Sequence, residues 1–242
     1  MTAGTFYGIG VGPGDPELLT VKAAAVLGRC RHVFVPKAKI SADSVALEIA
    51  KRYLGKDAAV HELLFPMLTD REALSRHWAE AAAQIAPVLR AGENACFLTL
   101  GDPLLYSTYS YLLREVKRLL PSVNAVTVPG ITSFCAAAAL TQFPVGEGKT
   151  PVTIVPTADD LESVHRAVKT GGTVVLMKIG GRLQEILNLL EQEGLMDNAV
   201  FVARAGQQGQ QIETDLRKLK HADAQAGYLS VILVHANERS AS

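Results

Sequence analysis

The run Thr99-Leu100-Gly101-Asp102-Pro103-Leu104-Leu105-Tyr106-Ser107-Thr108-Tyr109 follows a short apolar segment, Ala95 to Leu100, and breaks it with a glycine, an acid and a proline. Gly101 permits backbone shapes closed to other residues, while Pro103 fixes its own φ and offers no N–H. A strand that reaches this point must stop pairing and turn. In an open α/β sheet, ligands lie in the crevice beyond the carboxyl ends of the strands, and such a sheet puts Asp102 and Tyr106 there. Taken alone, Gly101-Asp102-Pro103 also suits an ordinary strand-to-helix turn in which Asp102 caps the helix.

Outward from this turn the chain alternates β and α. Phe6 to Gly14 reads as a strand entering a glycine-rich turn, and Asp15-Pro16-Glu17 opens a helix to about Leu27, with proline and acids at its positive end. A strand at Val33 to Val35 is followed by a helix from about Asp43 to Tyr53 and a strand at Ala59 to Leu63. Thr69-Asp70-Arg71-Glu72 matches a capping box for a helix running to about Arg90. A helix from about Ser107 to Leu120 and a strand at Ala125 to Val128 complete this half. The alternation predicts a mostly parallel sheet with helices on both faces.

Beyond the loop-like Gly146 to Pro151, the runs Val152 to Val155, Thr173 to Met177 and Ala199 to Ala203 are β-rich, with helical stretches near Asp160 to Val168 and Arg182 to Glu193. Gln210 to Thr214 and Tyr228 to Val234 read as strands with no long helix between them, which predicts antiparallel pairing. The expected architecture is two α/β domains, 1–121 and 122–242, the first sheet mostly parallel and the second mixed. Gly146 to Pro151 is the competing boundary.

The 242 residues carry no net charge, with 48% hydrophobic and 20% charged residues. The charge balance disfavours a nucleic-acid partner, since phosphate backbones are bound through clustered Lys and Arg. No apolar run is long enough for a membrane span, and Met1 to Gly4 lead into the first strand without a signal-like core. Cys30, Cys96 and Cys135 are odd in number and lack Cys-x-x-Cys spacing, which fits a reducing, cytoplasmic setting. Cys96 and Cys135 read as buried small hydrophobes.

Other nucleotide and metal chemistries fit poorly. A dinucleotide fingerprint fails because Pro13 or Asp15 stands where the third glycine belongs, and Gly14-Asp15-Pro16 replaces the Gly-Lys-Ser/Thr of a P-loop. The glycine-rich turn is then either a tight βα turn or a ligand wall. The six histidines, at 32, 61, 77, 165, 221 and 235, make no ligand-spaced cluster, so no protein-bound metal is expected. No Gly-x-Ser-x-Gly elbow marks a hydrolase.

Three blocks, Gly8 to Thr20, the Gly101-Asp102-Pro103 turn and Val128-Pro129-Gly130-Ile131-Thr132-Ser133, resemble the signatures of the tetrapyrrole methylases, the class III S-adenosylmethionine-dependent methyltransferases. The fuller strings Gly8 to Ala25, Phe97 to Leu112 and Val128 to Ala139 are most similar to the branch that methylates C20 of precorrin-2 or its cobalt form. Phe65-Pro66-Met67 and Tyr106-Ser107-Thr108-Tyr109 belong to the same resemblance. It implies two α/β domains with an active site in the cleft between them, S-adenosyl-L-methionine as donor, S-adenosyl-L-homocysteine as by-product, a tetrapyrrole acceptor and a homodimer.

Carried over by position, the donor contacts implied are Pro13, Leu100, Gly101, Asp102, Leu105, Tyr106, Ser107, Thr108, Thr132, Ser133, Met177, Ala205 and Gly206. Met177 equally suits core packing. Methyl transfer from a sulfonium needs chiefly near-attack alignment, so a catalytic triad is not required. Asp102, Tyr106 and Asp15 are the candidates for direct participation, and Asp15, Tyr106 or a water could take the proton lost from C20. Lys37, Lys39, Lys178 and Arg204, at predicted strand ends, are candidates to hold the substrate carboxylates or are ordinary surface charges. The alternatives are methylation of another corrinoid carbon, or a tetrapyrrole-binding protein without transfer activity.

Overall fold

The structure, a computed structural model, describes residues 3–37, 43–65, 70–156, 160–222 and 224–236. These residues form two compact units, Met1–Thr132 and Ser133–Ser242. The strand Ala125–Val128 belongs to the first unit. The reason is pairing: Ala125–Val128 lies parallel to Phe6–Gly10, from Phe6 opposite Ala125 to Ile9 opposite Val128.

The first unit is built on β1 (Phe6–Gly10), β2 (His32–Lys37), β3 (Ala59–Leu64), β4 (Ala95–Thr99) and β5 (Ala125–Val128), in the spatial order β3-β2-β4-β1-β5. All four pairings are parallel, as the alternation predicts. Pairing of β2 with β4 ends at Phe34, so Pro36, which has no N–H, lies beyond the ladder on that side.

Helices α1 (Val21–Leu27), α2 (Val45–Ala50), α3 (Arg71–Arg90) and α4 (Tyr109–Leu119) cover both faces. Ala23, Val26, Leu27, Ala46 and Ile49 meet Ile9, Val33, Val35 and Leu98 on one side. Ala82, Ile85, Leu89, Tyr109, Leu112 and Val116 meet Phe6, Phe34 and Phe97 on the other. Odd and even strand positions therefore feed opposite cores, the period that lets a fully buried parallel sheet read as continuous apolar runs.

Local details depart from the expected helices. The single helix from Pro16 to Leu27 is two pieces. Asp15 caps a short 3₁₀ turn, Pro16–Leu18, and Thr20 Oγ1 then accepts the Ala23 N–H at 3.2 Å to open α1. Likewise the stretch near Asp43 to Tyr53 is α2 followed by a 3₁₀ turn, Lys51–Tyr53. The cap of α3 is Asp70, whose Oδ1 accepts the Glu72 N–H at 2.9 Å; Thr69, with Pro66 and Met67, lies outside the described residues.

The second unit carries β6 (Val152–Pro156), β7 (Gly172–Met177), β8 (Ala199–Ala203), β9 (Gln211–Glu213) and β10 (Ser230–Ala236), ordered β6-β7-β10-β8-β9. β6 and β7 are parallel, and the remaining pairs are antiparallel. The expected antiparallel section is present, but β9 and β10 flank β8 and do not pair with each other. Helices α6 (Leu161–Thr170) and α7 (Leu183–Gln192) pack on one face, and α5 (Ser133–Thr141) on the other.

Cys30 and Cys96 are buried, but Cys135 is exposed on α5, contrary to its reading as a core residue. Cys135 precedes the buried pair Ala136 and Ala137, so the helix turns the sulfur outward while they meet the sheet. Hydrogen bonding to Cys30, reinforced by burial, pushes the Cys96 thiol well above its ordinary range, so it is no nucleophile. No described helix is long and apolar enough to cross a membrane.

Candidate active site

The connection leaving β1 runs to one face of the first sheet, through α1, while the connection leaving β4, its hydrogen-bonded neighbour, runs to the other face through α4. Such a reversal opens a crevice at the carboxyl ends of the two strands. Three turns converge there, from β1, β4 and β5.

Backbone pairing joins the first two. The Gly101 N–H donates to the Gly12 carbonyl at 2.7 Å, and the Gly12 N–H returns to the Gly101 carbonyl at 3.3 Å. Both glycines hold left-handed backbone, φ +82° at Gly12 and +69° at Gly101. The third turn approaches still more closely. A Cβ on Gly130 would lie 2.1 Å from the Gly101 carbonyl oxygen, and one on Gly10 would lie 2.6 Å from the Gly130 nitrogen. Only hydrogen fits at these two positions.

Asp102 fastens this junction. Its Oδ1 accepts the Leu104 N–H at 2.8 Å, shaping its own turn, and its Oδ2 accepts the Gly130 N–H at 3.1 Å. The residue is thus not the cap of α4, which begins later at Tyr109. Ser107 is also engaged internally. Its buried hydroxyl lies 2.8 Å from Thr99 Oγ1 and accepts the Tyr109 N–H at 3.1 Å. Tyr109 in turn lays its ring against Gly8, where a Cβ would come within 2.1 Å of the ring, and its hydroxyl meets Thr127 Oγ1 at 3.0 Å.

Of the other first-unit candidates, Pro13 is buried, Leu100, Leu105, Thr108 and Thr132 are half-buried, and Tyr106 is 43% exposed. Asp15 Oδ1 accepts the Glu17 N–H at 2.8 Å, the cap described above. Lys37 is held 3.0 Å from Glu62 with its side chain only 12% exposed, so its charge is already compensated within the fold. Lys39 lies outside the described residues.

In the second unit, Ser133 begins α5, Met177 ends β7 and packs partly against the core under α5, and Ala205 and Gly206 follow β8. Lys178 and Arg204 stand one residue past β7 and β8. Tyr106, Lys178 and Arg204 all adopt left-handed backbone, at φ +50°, +56° and +50°. For a residue with a Cβ that conformation costs about 1–2 kcal/mol, and such strain concentrates at ligand-binding turns. Sequence reasoning missed the roles of Gly130, Gly12 and Thr99, whose signal was the density of glycine and small hydroxyls at strand ends.

An added Cβ on Gly101 would meet nothing nearer than the Ile131 carbonyl at 4.0 Å, so the glycine keeps one side of the turn bare.

Comparisons with known proteins identify the family. Residues 5–220 match the profile of the tetrapyrrole (corrin/porphyrin) methylases. The chain is 34% identical, over 96% of both chains, to the cobalt-precorrin-2 C(20)-methyltransferase of Salmonella typhimurium. Among solved structures, cobalt precorrin-4 methyltransferase CbiF superposes with a TM-score of 0.72 at 22% identity, covering 96% of this chain and 94% of that one. Uroporphyrin-III C-methyltransferase from Thermus thermophilus, complexed with S-adenosyl homocysteine, gives 0.64 at 20% identity, covering 96% and 97%.

Proposed function

The chain belongs to the tetrapyrrole methylases, and on that premise we propose that it transfers a methyl group from S-adenosyl-L-methionine to C20 of precorrin-2 or its cobalt form. The observation that carries this reading is the glycine-lined junction of three strand-end turns at the switch point of the parallel sheet. The close relative's full-length match supports the regiochemistry.

When bound, the sulfonium of the donor supplies an electrophilic methyl group. The work left to the protein is to hold donor and acceptor in line and exclude competing contacts. In this reading Pro13, Leu100, Gly101, Leu105, Tyr106, Thr108 and Thr132 of the first unit contact the donor. Asp102 and Ser107 act through the backbone they fasten, because their oxygens already accept N–H groups of the fold. Asp15 keeps its capping role, which leaves Tyr106, exposed and in left-handed backbone, as the candidate to touch the reacting atoms. The same reading makes the protein a cytoplasmic homodimer, supported by the family resemblance and by three cysteines with no disulfide among them.

Incubation with carbon-labelled S-adenosylmethionine and cobalt-precorrin-2, followed by carbon NMR of the product, tests the assignment. Label at C20 is expected. Label at another carbon would make it a different corrinoid methyltransferase, and tetrapyrrole binding without label would make it a carrier.

A further inference from the structure

At one end of the second sheet the register aligns Ala203 of β8 with Gln211 of β9 and Ser230 of β10. Beside that row lies a hollow of about 350 Å³, lined by Arg204, Gln211 and Tyr228 with Ala203, Ala222 and Ala226. Among the described residues, no carboxylate lines it.

Among the described residues, the Arg204 guanidinium has no hydrogen-bond or ion-pair partner, nor do the Gln211 amide and the Tyr228 hydroxyl. Other cations of the same unit behave differently. Arg217 grips Asp197 at 2.7 and 2.9 Å, and Lys220 holds Glu191 at 2.6 Å.

The arginine is also held in place from behind. Its N–H donates to the Leu229 carbonyl and its carbonyl accepts the Gln207 N–H, both at 2.9 Å. Gly209, at φ +80°, lies under the guanidinium: a Cβ there would stand 3.2 Å from Nη1. A side chain at that position would crowd the head group, so the glycine keeps it free.

A guanidinium offers parallel N–H groups in the geometry of a carboxylate, and alanine walls strengthen the pairing by lowering the local dielectric. With no second Lys or Arg among the described lining residues, the site suits a single carboxylate better than a phosphate chain. We propose that this hollow receives one acetate or propionate arm of the tetrapyrrole, Arg204 pairing with its oxygens while Tyr228 and Gln211 donate hydrogen bonds. The inference rests on the methyltransferase reading, which supplies an acceptor bearing such arms. The amino-acid end of the donor carries the same group, and the test separates the two.

The full chain and its Arg204→Gln, Arg204→Lys and Tyr228→Phe variants would be titrated calorimetrically with uroporphyrin III and, separately, with S-adenosylhomocysteine. Arg204→Gln is expected to weaken porphyrin binding about tenfold, the scale of one charge-assisted pair. KM for cobalt-precorrin-2 should rise in parallel with kcat unchanged, Arg204→Lys should recover part of the loss, and thioether affinity should stay within about twofold. Unchanged porphyrin affinity in both Arg204 variants, or a loss confined to the thioether, would overturn the subsite. If the unsubstituted protein neither binds porphyrin nor methylates cobalt-precorrin-2, the methyltransferase reading itself fails; an active protein indifferent to Arg204→Gln loses only the subsite.

Discussion

The Oδ2 of Asp102 accepts the backbone N–H of Gly130 at 3.1 Å, joining the turn after β4 to the turn after β5 across the end of β1. We propose that this carboxylate, expected to meet the donor, acts as a fastener of the walls around it. Asp102→Asn tests the distinction, because the amide keeps the size but cannot accept from both Leu104 and Gly130. Stability should fall by about 1–3 kcal/mol, the cost of an unsatisfied partner, and thioether affinity should fall with it. Denaturant unfolding and calorimetry measure the two; a loss of affinity with stability intact would return Asp102 to direct contact.

Two glycines of the junction, Gly130 and Gly101, should differ in sensitivity. Gly130→Ala forces a Cβ against a backbone oxygen at 2.1 Å, whereas Gly101→Ala meets only the left-handed penalty. The first should cost more than about 3 kcal/mol, the upper range of overpacking, and the second about 1–2 kcal/mol. Thermal melts of the pair check the order, and equal losses would contradict the close approach.

The buried hydroxyl pair Thr99 and Ser107 predicts non-additive behaviour. Ser107→Ala leaves Thr99 without its partner and Tyr109 without its acceptor, at about 1–3 kcal/mol. Adding Thr99→Val should return part of that stability, since two apolar groups leave fewer unmet donors. A double-mutant cycle by denaturant unfolding measures the coupling, and strict additivity would argue against the contact.

At the other end of the first sheet, His61 lies between His32 and Phe34, with ring centroids 5.3 and 4.6 Å away. Burial, helped by the charge of His32, lowers its pKa below the ordinary histidine value; burial does the same to His235. The unfolded chain therefore takes up these protons first as pH falls through about 6.5, so stability present above that value is lost below it. Melting temperatures measured from neutral to mildly acidic pH should drop on the acid side. His61→Phe, which keeps the stack, should flatten the drop; an unaltered profile would remove His61 as a contributor.

The strands and most helices were legible in sequence because their causes are local. Apolar period, proline and capping acids such as Asp15 act on residues within a turn or two. Where competing local signals stood close together, boundaries slipped, as at Thr20, whose hydroxyl starts a second helix inside a stretch read as one.

By itself, then, the chain determined its alternation of strand and helix, the parallel character of the first sheet, and the glycine-bearing turns that identify its family. Only tertiary structure decided that β4 enters between β2 and β1, that Asp102 reaches Gly130, and that Arg204 and Tyr228 line the same hollow. The reason is range. Propensity and capping depend on a few adjacent residues, whereas strand order and the meeting of distant side chains depend on how whole layers bury their apolar faces against one another.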